Sequence, residues 1–112
     1  MKHLTLIIHT NVQQDMADQL RSLEQVSGFT FSHAEGHGLQ AESDPFLSER
    51  DKVVGYTPRI RVDILLENGD VDSVLESLRT TTCGIEGQGL YWITAVERVV
   101  RIRTGEEGTD AV

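Results

Sequence analysis

The sequence predicts an α+β domain of the ferredoxin-like kind, βαββαβ, with a long loop between strands 2 and 3 and an extra strand at the C-terminus. Three observations predict it. Two segments carry apolar stripes at helical spacing, and each is set between segments with strand patterning. The order strand–helix–strand therefore occurs twice, which gives a sandwich with both helices on one face of the sheet. Between the two halves lies a polar stretch with several glycines and no sustained period, Glu35 to about Thr57.

The elements follow in order. HLTLIIHT, His3 to Thr10, reads as the first strand. Asn11 is a good N-cap, and Gln14 can answer it in a box-like arrangement. Val12, Met16, Leu20 and Leu23 form one apolar stripe, so a helix is expected from about Val12 to Gln25, ended by Ser27-Gly28. GFTFSHA, Gly28 to Ala34, reads as the second strand. Pro58 to Leu66 reads as the third, with Ile60, Val62, Ile64 and Leu66 facing the core. Asn68-Gly69 turns the chain, and Asp70 is placed to cap a second helix with Val71, Val74, Leu75 and Leu78 as its stripe. The threonine run from Thr80 to Thr82 disfavours its continuation. LYWITA, Leu90 to Ala95, reads as a buried strand. In Val99 to Arg103 the residues alternate, with Val100 and Ile102 on one side and Arg101 and Arg103 on the other.

Composition bounds the function. A chain of 112 residues builds one domain, 1–112, with one modest core. A formal charge of −8 argues against a general binder of nucleic acid or anionic membrane. The one cysteine, Cys83, leaves no intrachain disulfide and fits a reducing cytoplasm. No apolar run approaches the ~20 residues of a membrane span. The start runs directly into strand patterning without signal-peptide architecture.

Two features bear on a ligand. Gly84, Gly87 and Gly89 precede the apolar strand: they form an ordinary turn, or a nest of backbone N–H groups that takes an anion. Arg101 and Arg103 follow it, and form a solvated edge or a clamp for an oxyanion such as phosphate. Glycine nest and arginine pair flanking one strand favour phosphate.

VERVVRIRTGEEGTDAV, Val96 to Val112, closely resembles the C-terminal signature of the PII signal-transduction proteins. CGIEGQG, Cys83 to Gly89, resembles their nucleotide loop, the B-loop. Gly36-His37-Gly38 with Gln40 resembles their GxGRQ, Tyr56-Thr57-Pro58-Arg59 their FLPK, and Gly28-Phe29-Thr30 their GMT. On this resemblance 35–57 corresponds to the family's T-loop, 83–90 to the B-loop and 97–112 to the C-terminal segment. The resemblance implies a cytoplasmic homotrimer with an adenine nucleotide (ADP, AMP or ATP) in the cleft between subunits. Ile7, Gly36, Gly38, Leu65, Gly87, Gln88 and Gly89 would line the cleft from one subunit. Gly28, Phe29, Thr30, Asp63, Arg101 and Arg103 would line it from the neighbour. Asp63 stands where the family has glutamate.

The departures from the family pattern are specific. Its phosphate-binding arginine is Leu39 here, its B-loop lysine is Leu90, its B-loop aspartate is Gln88 and its threonine is Cys83. Two cationic phosphate contacts are lost, which costs most at the γ-phosphate, so ADP or AMP is expected to bind at least as well as ATP. His37, Gln40 and Arg59 are the candidates for a second ligand. Uridylylation is not expected, because Tyr56 lies beside Pro58 at the end of the loop. The chain is compatible with the carboxysome-associated PII-like group, proposed to respond to adenine nucleotides and bicarbonate. The alternative is the metal-efflux-associated group, with His33, His37 and Cys83 as metal ligands. No cofactor is required, no nucleophile-elbow or Walker pattern is present, and no enzyme activity is expected. A target protein, a transporter or an enzyme, is implied as the partner.

Overall fold

The computed structural model describes residues 1–37, 55–79 and 89–112. The expected B-loop residues Cys83, Gly87 and Gln88, together with Gly38, Leu39 and Gln40, lie outside the described residues.

Four strands form one antiparallel sheet in the order β2-β3-β1-β4. β1 is Lys2–His9, β2 Thr30–Gly36, β3 Thr57–Leu66 and β4 Gly89–Ala95, with α1, Gln13–Ser22, after β1 and α2, Val71–Arg79, after β3. This is the ferredoxin-like arrangement: each helix carries the chain over to a strand that is not the neighbour of the one it left. β1 lies inside, paired with β3 from Lys2↔Leu66 to His9↔Arg59 and with β4 from Lys2↔Ala95 to Ile8↔Gly89.

Strand alternation divides the sheet into two faces. Leu4, Leu6 and Ile8 of β1 and Ile60, Val62, Ile64 and Leu66 of β3 are buried on one face. Met16 and Leu20 of α1 and Val71, Val74, Leu75 and Leu78 of α2 pack on them in a single cluster. The stripes expected for both helices and for β3 are therefore the core. Leu78 is fully buried in it.

The helix ends differ from expectation. Asn11 does not cap α1; it sits in a 3-10 turn, Thr10–Val12, and Val12 takes the N-cap position without a side-chain bond. Gln14 bonds Asp18 at 2.9 Å one turn along instead. α1 also ends early, because Leu23 is extended (φ −92°, ψ 121°) and turns inward with Val26 against the core. Asp70 likewise lies in a 3-10 turn, Asn68–Asp70, that leads into α2.

β2 is displaced two residues along the chain from the expected Gly28–Ala34, and β3 begins one residue earlier than expected. Their register runs from Thr30↔Asp63 to Gly36↔Thr57, so a paired ladder takes up both ends of the stretch from Glu35 to Thr57. The His37 ring donates from Nδ1 to the Gly55 carbonyl at 2.7 Å, just beyond the last pair.

Two expectations are corrected. β4 is not buried: it is an edge strand exposed along its whole length, with Leu90 57%, Trp92 41% and Ile93 44% exposed. The extra C-terminal strand is reduced to a single bridge, Val100↔Glu107. Glycines at positive φ, Gly105 (76°) and Gly108 (62°), close the chain into a tight hairpin before a strand can extend. Ile102 is consequently fully exposed rather than packed.

Leu78→Ala should destabilise the fold by about 2–5 kcal/mol, the range for deleting a buried leucine side chain. Chemical denaturation monitored by circular dichroism measures it; a loss well under 1 kcal/mol would contradict the placement of α2 on the sheet.

Candidate functional site

The face of the sheet away from the helices is polar at its centre. Thr5 is fully buried there, opposite Asp63 on β3 and Trp92 on β4. His3 donates from Nε2 to Asp63 Oδ1 at 2.7 Å, and the Thr5 hydroxyl donates to the same oxygen at 3.4 Å. Arg61 shares its Nε–H between Oδ1 at 3.2 Å and Oδ2 at 3.1 Å, while its guanidinium lies 5.8 Å from the Trp92 ring centroid. The spacing follows from the strand period: His3 and Thr5 on β1, and Arg61 and Asp63 on β3, all share one face.

Burial pushes the Asp63 carboxyl upward, but hydrogen bonds from Arg61 and then His3, together with their charges, outweigh it and hold the group below the ordinary carboxylate range. Asp63 therefore stays ionised at neutral pH.

A groove of about 330 Å³ runs from Asp63 to the chain's last turn, lined by Gly28, Phe29, Thr30, Asp63, Leu65 and Arg101, with Ser27 and Val112 at its margins. The turn after α1 supplies Gly28 and Phe29, and the Phe29 ring is fixed by Phe31 at a centroid distance of 5.2 Å. The C-terminal hairpin supplies Arg101, whose N–H bonds the Glu106 carbonyl at 2.9 Å and whose carbonyl receives Gly105 N–H at 2.8 Å. The side chain of Thr109 bonds that of Glu67, and Ala111 is buried, so the tail is anchored on the domain. Arg103 is exposed in the hairpin turn. A second groove of about 570 Å³ shares Thr30, Asp63 and Leu65, and adds His3 and Arg98.

The remaining candidates lie elsewhere. Gly36 and Gly89 are at the opposite end of the sheet: Gly36 is six strand residues from Thr30, a span of about 20 Å. Ile7 lies between them and the centre, opposite Arg61 and Leu90. Gly89 is sterically required, since a Cβ there would stand 2.3 Å from the Ile7 carbonyl oxygen. Leu65, expected with this set, lies with Asp63 and Arg101 instead. Arg59 pairs across from His9 and Ala34 at the same far end. Among the described residues no three His, Cys, Asp or Glu side chains are grouped to hold a metal. His33 and His37 lie on β2 and just beyond it, both exposed.

Sequence reasoning passed over His3, Thr5, Arg61 and Arg98. A face-by-face reading of the first and third strands would have put the first three on the same face of the sheet as Asp63, while the register that brings them together is set by the fold. Arg98 carried no local signal that separates it from a surface arginine.

The Asp63 network gives a signed pH dependence. A carboxylate whose folded pKa is depressed adds stability above its unfolded pKa, about 3.9, and loses it as pH falls through the folded value. Asp63→Asn should lower stability at neutral pH and flatten its fall below about pH 4. Denaturation midpoints across pH 2–7 check this; parallel curves for the two proteins would contradict it.

Comparison with known proteins places the chain. A family model described as "Protein of unknown function (DUF3240)" matches residues 1–103. The nitrogen regulatory protein P-II of Azospirillum brasilense is 30% identical, covering 100% of both chains. P-II of Rhizobium leguminosarum bv. viciae is 34% identical over 85% of this chain and 88% of its own. P-II 1 of Methanothermobacter thermautotrophicus is 32% identical over 100% and 97%. The crystal structure of a DUF3240 family protein from Shewanella baltica OS155 superposes with a TM-score of 0.66 at 21% identity, over 86% of this chain and 89% of that one, and so shares the fold. The repeated strand–helix–strand order, the arginine hairpin and these full-length matches agree: the chain is a divergent member of the PII signal-transduction superfamily, and belongs to its DUF3240 family.

Proposed function

We propose that this protein is a regulatory, non-enzymatic sensor of adenine nucleotides, and that it signals to a partner protein through the segment between β2 and β3. The observation that carries the reading is the groove at Asp63. It gathers Gly28, Phe29, Thr30, Asp63, Leu65 and Arg101 from three separate parts of the chain, and each is a nucleotide candidate on the PII resemblance alone.

The chemistry of the groove suits a nucleotide. Phe29 and Leu65 offer apolar surface to a base. The ionised Asp63 accepts hydrogen bonds from ribose or base. Arg101 offers a planar fork to phosphate, and Arg103 follows on the same hairpin.

A nucleotide site of the family kind needs a second copy of the chain. Gly36 lies about 20 Å from Thr30 along β2, a span that favours the two sets meeting one ligand from different copies. The exposed apolar length of β4 also favours a covering partner, because unpaired apolar edge strands invite association. A homotrimer is the assembly we propose. Among the described residues no helix is long and apolar enough to cross a membrane.

Leu90 sits exposed on the open face of β4, where the family pattern has a cation. With Leu39 as well, the triphosphate has lost two partners, so ADP and AMP are the favoured ligands. Bicarbonate is the candidate second ligand, near His37 and Arg59 at the neck of the β2–β3 connection. A ligand shifts such a connection only by its differential affinity for the connection's states.

Calorimetric titration with AMP, ADP and ATP, with and without bicarbonate, tests the reading. ADP or AMP should bind at least as tightly as ATP. Arg101→Ala combined with Arg103→Ala should weaken ADP by at least about tenfold, since each charge-assisted bond is worth ~1.5–3 kcal/mol. Binding of divalent metal without any nucleotide binding would favour the metal reading instead.

A further inference from the structure

We infer that His3 is a positioning residue for Asp63: it holds one carboxylate oxygen so that the other is presented to a neutral O–H or N–H donor of the bound nucleotide. This deepens the nucleotide reading above and rests on it.

The two oxygens of Asp63 are occupied unequally. Oδ1 receives His3 Nε2–H at 2.7 Å, Arg61 Nε–H at 3.2 Å and the Thr5 hydroxyl at 3.4 Å. Among the described residues Oδ2 receives only its share of the Arg61 Nε–H, at 3.1 Å. A carboxylate oxygen offers about two acceptor directions, so Oδ1 is filled and Oδ2 retains capacity. His3 makes the shortest of these bonds and therefore fixes which oxygen is taken.

The surroundings give this asymmetry a consequence. Asp63 lines both grooves, and Arg98 and Arg101 line one each. Without His3, the carboxylate loses its shortest bond and keeps those from Arg61 and Thr5, a weaker hold against turning toward Arg101 and neutralising charge that phosphate needs. With His3 in place it is held back on the sheet, over the fully buried Thr5, and Arg101 stays available, while Arg98 lies 3.7 Å from Glu107. Holding the acceptor in its binding geometry before the ligand arrives lowers the ordering cost of binding. The donor on the ligand is a ribose hydroxyl or the exocyclic amine of adenine.

The test compares ADP with 2′-deoxy-ADP, 3′-deoxy-ADP and inosine diphosphate on the full chain. Either deoxy analogue removes one hydroxyl, and inosine replaces the amine by a carbonyl. Wild type should lose about tenfold in affinity for whichever analogue lacks the donor, as expected for a hydrogen bond to a charged group. His3→Gln keeps a donor near the Nε2 position and should hold that preference within about twofold, whereas His3→Leu fills the space without a donor and should bring it below about threefold.

The outcomes separate the two claims. If wild type binds no nucleotide, the nucleotide reading falls and takes this inference with it. If wild type binds and discriminates, but His3→Leu discriminates equally, the role of His3 alone is overturned. A readout on wild type stands in should His3→Leu not fold: the ¹⁵N resonances of the His3 ring should move with ADP and not with the analogue that lacks the donor. Equal shifts with both would overturn the inference.

Discussion

The pairing of β1 with β3 is the constraint on which the rest depends. It sets eight consecutive residue pairs, from Lys2↔Leu66 to His9↔Arg59. A strand has a side-chain period of two, so a slip of one residue would exchange its two faces. Leu4, Leu6 and Ile8 would leave the core, and His3 and Thr5 would turn toward the helices. The same register that buries Ile60, Val62 and Ile64 under α1 and α2 brings Asp63 beside Thr5 and within reach of His3. Core and site are thus two faces of one ladder. The helices hold the ladder in register through their apolar stripes, although neither touches the polar face.

That division of labour shapes the site. At the Asp63 end Phe29 packs on Phe31, Asp63 is held by His3 and Arg61, and Arg101 stands exposed on a hairpin anchored through Thr109 and Glu67. The far end, at Gly36 and Gly89, is where the chain departs into its long connections. A ligand bridging the two ends between copies would join the Asp63 half-site to the mouth of the β2–β3 connection. Under the proposed function, binding energy collected on one half would bias the other.

Much of the fold was legible in the sequence because its signals are local. The alternation in Pro58 to Leu66 and the stripe Val71, Val74, Leu75 and Leu78 each specify a face within a few residues, and each became core. LYWITA misled because apolar composition records what a strand can pack against, not whether its own chain supplies the cover. β4 lies at the sheet edge, exposed along its whole length. Val99 to Arg103 misled in the other direction: its alternation is real, but Gly105 and Gly108 fold the chain back before a ladder forms. At the site, the PII-like signatures drew attention to Arg101 and to Gly28-Phe29-Thr30. They were silent on His3, which meets Asp63 across sixty positions of sequence. Only the register shows that pair.

The central claim is that one adenine nucleotide is held between two copies of this chain. A crystal structure of the protein grown with ADP tests it most directly. The account predicts ADP in the groove of Asp63 and Arg101 of one copy, with its other side against the Gly36 and Gly89 end of a neighbour in a threefold assembly. ADP held wholly within one chain, or a monomer that takes up no ADP at saturating concentration, would contradict it.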